Sequence, residues 1–115
     1  MPLLKLETTV VLSGEKQRNL LPSLSKLVAA TIGKPEQYVM VTYTHAAILM
    51  SGKEGDAALV EVRSIGGMSD DVNRKLARQV CQWLKDSLGI SPDRVYLNFT
   101  EFAGGDWGWN GGTFG

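Results

Sequence analysis

The chain has 115 residues, 43% of them hydrophobic, and its twelve basic and twelve acidic side chains cancel. One domain with a modest core is expected at that length, and the balanced charge lacks the basic stripe of a general nucleic-acid binder. A single cysteine (Cys81) and a single histidine (His45) rule out an internal disulfide and leave no ordinary zinc site. No apolar run reaches the ~18 residues of a membrane helix and no secretion signal precedes the first strand, so a cytoplasmic protein without nucleic-acid or membrane partners is expected.

Leu3-Leu4-Lys5-Leu6-Glu7-Thr8 alternates with period two and predicts a first strand. Leu20, Leu24, Leu27 and Val28 recur at helical spacing, and Gly33 suits the left-handed position just past a helix end. The start of this helix stays open. A start near Asn19 puts Pro22 harmlessly in the first turn, whereas a start near Ser13 puts it where it should kink the helix. Val39-Met40-Val41-Thr42-Tyr43-Thr44 predicts a second strand.

The pattern then repeats 56 positions on, without a gap. Leu59-Val60-Glu61-Val62-Arg63-Ser64 matches the first strand. Leu76, Val80, Trp83, Leu84 and Gly89 match the helix, and Val95-Tyr96-Leu97-Asn98-Phe99-Thr100 matches the second strand. Ser69 or Asp70 can cap the second helix, with Asp70 and Asp71 favourable at its positive end. The expected fold class is α+β: one domain over residues 1–115, built from two β-α-β units at about 2–44 and 58–100. They form a four-stranded sheet with two helices on one face.

Two helices leave the second sheet face bare, although parallel strand pairs are usually buried on both sides. The tail, residues 103–115, holds six glycines yet also Trp107, Trp109 and Phe114. Large aromatics on such a segment pack on a neighbouring subunit or wall a pocket. A homo-oligomer is therefore expected.

Three positions carry potential chemistry. Removal of Met1 would turn Pro2 into a secondary amine. The ordinary α-amino pKa of ~7.7–8.0 is lowered by burial or a nearby cation, towards the range useful to a general base. Lys34 follows Gly33, but its counterpart in the second unit is Ile90, so the repeated architecture does not require a lysine there. Tyr96 and Asn98 stand where the first unit has Met40 and Thr42. Cys81, between Val80 and Trp83 in a helical pattern, reads as a buried, inert thiol.

The chain resembles the macrophage migration inhibitory factor family of the tautomerase superfamily. The resemblance is carried by Pro2, Gly33-Lys34-Pro35-Glu36-Gln37-Tyr38, Ser64-Ile65-Gly66, Ile90-Ser91-Pro92-Asp93-Arg94-Val95-Tyr96-Leu97-Asn98, Gly108-Trp109-Asn110 and Thr113-Phe114. It implies a homotrimer around a central channel, with sites between subunits. In such a site Pro2 is the base, Lys34 binds the substrate carboxylate and the backbone at Ile65 touches substrate. Tyr96 and Asn98 arrive from the neighbouring subunit, and Tyr38, Trp109 and Phe114 form aromatic walls. Trp107 is a further wall residue and departs from the smaller aliphatic residue common in animal members.

The implied reaction is keto–enol isomerisation of a phenylpyruvate-type aryl α-keto acid, with dopachrome tautomerase activity as a related possibility, and without metal or organic cofactor. The alternative is a cytokine-like signalling ligand with an incidental pocket, and leaderless release follows from analogy alone. Another tautomerase-superfamily reaction, such as decarboxylation or dehalogenation, would need extra acids or arginines, for which Arg63 is the only nearby candidate. Ala57 and Val60 occupy the places of the animal Cys-x-x-Cys motif, so the thiol oxidoreductase activity proposed for that motif does not transfer.

Overall fold

The computed structural model describes residues 1–115. Its main elements are β1 (Leu3–Thr8), α1 (Gly14–Ile32), β2 (Met40–His45), β3 (Ala58–Ile65), α2 (Asp70–Leu88) and β4 (Val95–Phe102), followed by a small hairpin of β5 (Gly108–Trp109) and β6 (Gly112–Thr113). Single 3₁₀ turns at Glu36–Tyr38 and Pro92–Arg94 lead into β2 and β4. The sheet order is β2-β1-β3-β4. Within each unit the strands are parallel, and the units join through the antiparallel β1–β3 pair. Both outer strands, β2 and β4, are open edges.

Alternation decides which side each strand buries. Leu4, Leu6, Val60 and Val62 point to one face and meet Leu24, Val28 and Ile32 of α1 and Leu76, Val80 and Leu84 of α2 in a single buried cluster. Fully burying one such side chain stabilises by roughly 1.5–3 kcal/mol. Val39, Val41, Tyr43, Leu97 and Phe99 pack around the rim of the cluster and are only partly buried, because their strands are the sheet edges. Two side-chain hydrogen bonds tie the helices together. The Trp83 indole N–H donates to Ser23 Oγ at 2.9 Å, and the Thr31 hydroxyl donates to Gln79 Oε1 at 2.7 Å.

The helix ends repeat as the sequence does. Ser13 Oγ accepts from the Lys16 N–H and Ser69 Oγ from the Val72 N–H, both at 3.2 Å. Of the two candidate caps on α2, Ser69 is the one used. Gly33 and Gly89 close the helices at φ 78° and 70°, a conformation that costs a side-chain-bearing residue about 1 kcal/mol. The Ser13 cap also settles the start of α1. The helix takes the longer of the two spans, and Pro22 lies inside it, exposed, leaving the Arg18 carbonyl without its usual N–H partner.

The opposite sheet face carries Lys5, Glu61 and Arg63, with Glu61 paired to Arg63 at 3.2 Å and to Lys5 at 3.8 Å. Neither helix covers this face. No helix is long and apolar enough to cross a membrane.

Candidate active site

The start of the chain is drawn into the sheet rather than left in solvent. Pro2 immediately precedes β1. Its carbonyl accepts the Met40 N–H at 3.0 Å, and its ring is fully buried. Proline is tolerated there because no ladder N–H is required at the beginning of a strand. One step beyond the Leu3–Arg63 pair of the β1–β3 ladder, Pro2 falls opposite Ser64, and Met1 opposite Ile65. Ser64 is itself fully buried, and its hydroxyl finds no protein partner.

Around this start lies a cavity of about 220 Å³, bounded by Met1, Pro2, Leu3, Gln37, Tyr38, Val39, Met40, Trp107, Gly108, Trp109 and Phe114. Eight of these eleven residues are hydrophobic. A greasy lining with a few polar groups suits an aromatic ligand held at one end by charge. Tyr38 comes from the 3₁₀ turn that follows α1, and the aromatics come from the tail.

The tail is knitted in place by its backbone. The Phe114 N–H is shared between the Gly104 and Trp107 carbonyls at 3.1 and 3.2 Å. Trp109 and Phe114 stack with centroids 6.0 Å apart, and Trp107 meets Phe102 edge-on at 5.5 Å. The aromatic tail therefore walls a pocket on its own chain, one of the two outcomes its composition allowed.

Lys34 is held at the C-terminal end of α1, where its backbone N–H caps the Ala29 carbonyl at 3.1 Å. Its stem runs over Gly67. A Cβ at Gly67, where φ is already 77°, would stand 3.1 Å from both Lys34 Cε and Ile32 Cγ2, so any side chain there would push the lysine aside. Lys34 does not line the cavity, yet its charge acts at the chain's start. The Met1 amine is held below its ordinary value, first by burial and then by the Lys34 ammonium. Both causes disfavour the protonated amine.

The other expected site residues divide. Pro2, Tyr38, Trp107, Trp109 and Phe114 share the one cavity. Ile65 ends β3, half-buried and paired with Phe102, and does not line it. Tyr96 and Asn98 are exposed on the far edge strand, and one chain does not bring them to Pro2. Leu3 shares a row with Arg63 and Thr100, whereas Tyr96 lies four residues back along β4. That is roughly 13 Å along the strand and roughly 10 Å across it.

Sequence reasoning missed Gln37, Leu3, Val39 and Met40 as lining residues; their closeness to Tyr38 and Pro2 was the available signal. It also gave Arg94 no role. The Arg94 guanidinium donates to the carbonyls of Met50, Lys53, Gly55 and Asp56 at 2.9–3.2 Å, pinning the 46–57 loop beneath β4. Cys81 is half-buried, and burial pushes its thiol above the ordinary value. No group of three or more His, Cys, Asp or Glu side chains is arranged to hold a metal ion.

The chain is similar to known proteins over its whole length. The profile of the family described as Macrophage migration inhibitory factor (MIF) matches residues 1–115. A macrophage migration inhibitory factor homolog of Trichuris trichiura is 36% identical over 115 residues, covering 99% of this chain and all of the relative. The crystal structure of a homologue from Prochlorococcus marinus superposes with a TM-score of 0.93 at 34% identity, over 98% of this chain and 99% of that one. A more distant structure, 24% identical with a TM-score of 0.83 over 96% and 93% of the two chains, shares the fold and was solved after inactivation by 2-oxo-3-pentynoate. The chain belongs to the macrophage migration inhibitory factor family, within the tautomerase superfamily.

Proposed function

We propose that the mature protein, with Met1 removed, is a keto–enol tautomerase of phenylpyruvate-type aryl α-keto acids, with the Pro2 amine as general base. The observation that carries this reading is the placement of the chain's start in an apolar cavity beside Lys34, where burial and the cation together lower the pKa of the Met1 amine one residue before Pro2. While Met1 is attached, the Pro2 nitrogen is an amide and has no basicity. Removing Met1 exposes the lone pair and vacates the part of the cavity that Met1 lines.

The substrate ring lies among Tyr38, Trp109 and Phe114, and its carboxylate faces Lys34 and the backbone at Ile65. In ketonisation the amine takes the enol hydroxyl proton and delivers a proton to the benzylic carbon as the carbonyl forms. The reverse direction removes that carbon's proton. Lys34 stabilises the negative charge that develops between these states. No cofactor enters this scheme.

The reading includes a homotrimer. It is supported by the two open sheet edges, the uncovered ion-pair face, and Tyr96 and Asn98 lying too far from Pro2 to serve their own chain's cavity. In the trimer, Tyr96 and Asn98 of the partner subunit close the site. The test is a phenylpyruvate ketonisation assay, with intact mass to establish that Met1 is absent and sedimentation to count subunits. Turnover should fall sharply in Pro2→Ala and in Lys34→Ala; turnover surviving both substitutions contradicts the assigned roles.

A further inference from the structure

A second cavity, of about 260 Å³, adjoins the first on the ion-pair side of the sheet and is bounded by Leu3, Arg63, Phe102, Asp106, Trp107 and Gly108. Leu3, Trp107 and Gly108 belong to both cavities. Gly108 has no side chain and Leu3 belongs to β1, so Trp107 is the largest side chain that the two spaces share. Its ring sits edge-on against Phe102, and its backbone is held on both sides, the main-chain N–H donating to the Gly104 carbonyl at 3.2 Å and the main-chain carbonyl receiving the Phe114 N–H.

We infer that Trp107 is a specificity-determining partition, which confines the site to single-ring aryl groups and shuts off an Arg63-bearing extension that a small residue would open. The inference rests on the aryl-acid reading above. A second ring in line with the first would meet the indole. Without the indole, it would pass between Leu3 and Phe102 towards Arg63 and Asp106.

The experiment compares mature, assembled wild-type protein with Trp107→Ala and Trp107→Phe. Calorimetry measures the binding of cinnamate and 4-phenylcinnamate, and turnover is measured on phenylpyruvate and 4-biphenylylpyruvate. Wild type should favour the single-ring compound by roughly tenfold or more, the scale on which a pocket rejects excess bulk. Trp107→Ala should erase that preference, with Trp107→Phe between the two. A wild-type protein that accepts both rings equally overturns the inference, as does a Trp107→Ala protein with an unchanged ratio. Thermal melting shows whether Trp107→Ala is folded; if it is not, the Trp107→Phe ratio decides in the same direction. A shifted binding ratio without turnover by any form would leave the partition standing and refute the tautomerase reading instead.

Discussion

The two β-α-β units share one frame and use it differently. Helices α1 and α2 each span 19 residues, and their serine caps and terminal glycines sit at the same offset of 56. After the first helix the chain presents Lys34 and Tyr38; after the second, the equivalent places hold Ile90, fully buried, and Arg94. Tyr38 walls a cavity. Arg94 instead reaches under the 46–57 loop and takes four carbonyls, so the place corresponding to the cavity is occupied by the chain leading into β3. In the first unit Pro2 lines a cavity, whereas its counterpart Ala58 is preceded by the 46–57 connection that Arg94 holds. The proposed chemistry lies where the repeat breaks its own symmetry.

The sharpest way to break this comparison is to lengthen the first unit's start. A protein that retains Met1, prepared with aminopeptidase action blocked, should lose about 10²–10⁴-fold in kcat/KM for phenylpyruvate ketonisation, the usual contribution of one proton-transfer group. Its melting temperature should stay close to that of the mature form.

The converse change in the second unit is Arg94→Ala. It frees four carbonyls, partly solvent-reachable, and should cost about 2 kcal/mol of stability in denaturant titration while the folded fraction keeps its turnover. Arg94→Lys should recover little of this, since a lysine cannot fork between carbonyls.

Lys34→Ala should lower kcat/KM by roughly 10–100-fold, through a lost charge-assisted contact of about 1.5–3 kcal/mol. It should also move the pH profile. A base works only when deprotonated, so activity rises as pH climbs through the amine's pKa. At the chain's start the pKa of the Met1 amine is lowered by burial first and by Lys34 second, and the Pro2 amine should inherit both causes. The acid limb of the mature protein should therefore lie below the ordinary α-amino range of ~7.7–8.0. Lys34→Ala should shift it upward without restoring it fully.

The smallest effect compares the two helix ends. Gly33→Ala and Gly89→Ala meet no neighbour within 4 Å and should each cost about 1 kcal/mol in thermal unfolding. Only Gly33→Ala should raise KM, because only Gly33 precedes the lysine proposed to bind the substrate carboxylate.

The sheet, the helices and their capping glycines were legible because each depends on local periodicity. Leu4, Leu6, Val60 and Val62 alternate, and Leu76, Val80 and Leu84 recur every four residues, whatever surrounds them. The start of α1 was not settled, since Pro22 argues against the long span on local grounds and the Ser13 cap argues for it. The broken repeat brought out Lys34 and the glycine-rich tail its aromatics, while Tyr38 came from the family motifs alone. Gln37 and Met40 acquire their place in the cavity only once β2 lies beside β1, a long-range pairing with no local signature. Arg94 was visible as part of a motif, but its work depends on carbonyls some 40 residues away in sequence. Tyr96 and Asn98 are the opposite case, because the position of each is clear while a single chain gives it nothing to act on.

The central claim concerns a free, nucleophilic amine at Pro2, and 2-oxo-3-pentynoate, the compound that inactivated the distant structural neighbour, tests it directly. A secondary amine adds to such an electron-poor triple bond, with nitrogen forming a bond to one carbon and the proton passing to the other. Peptide mass mapping after incubation should show one equivalent on the Pro2 terminus of the mature protein and none on the Met1-retaining form. Equal labelling of both forms, or modification elsewhere in the chain with Pro2 untouched, would contradict the account.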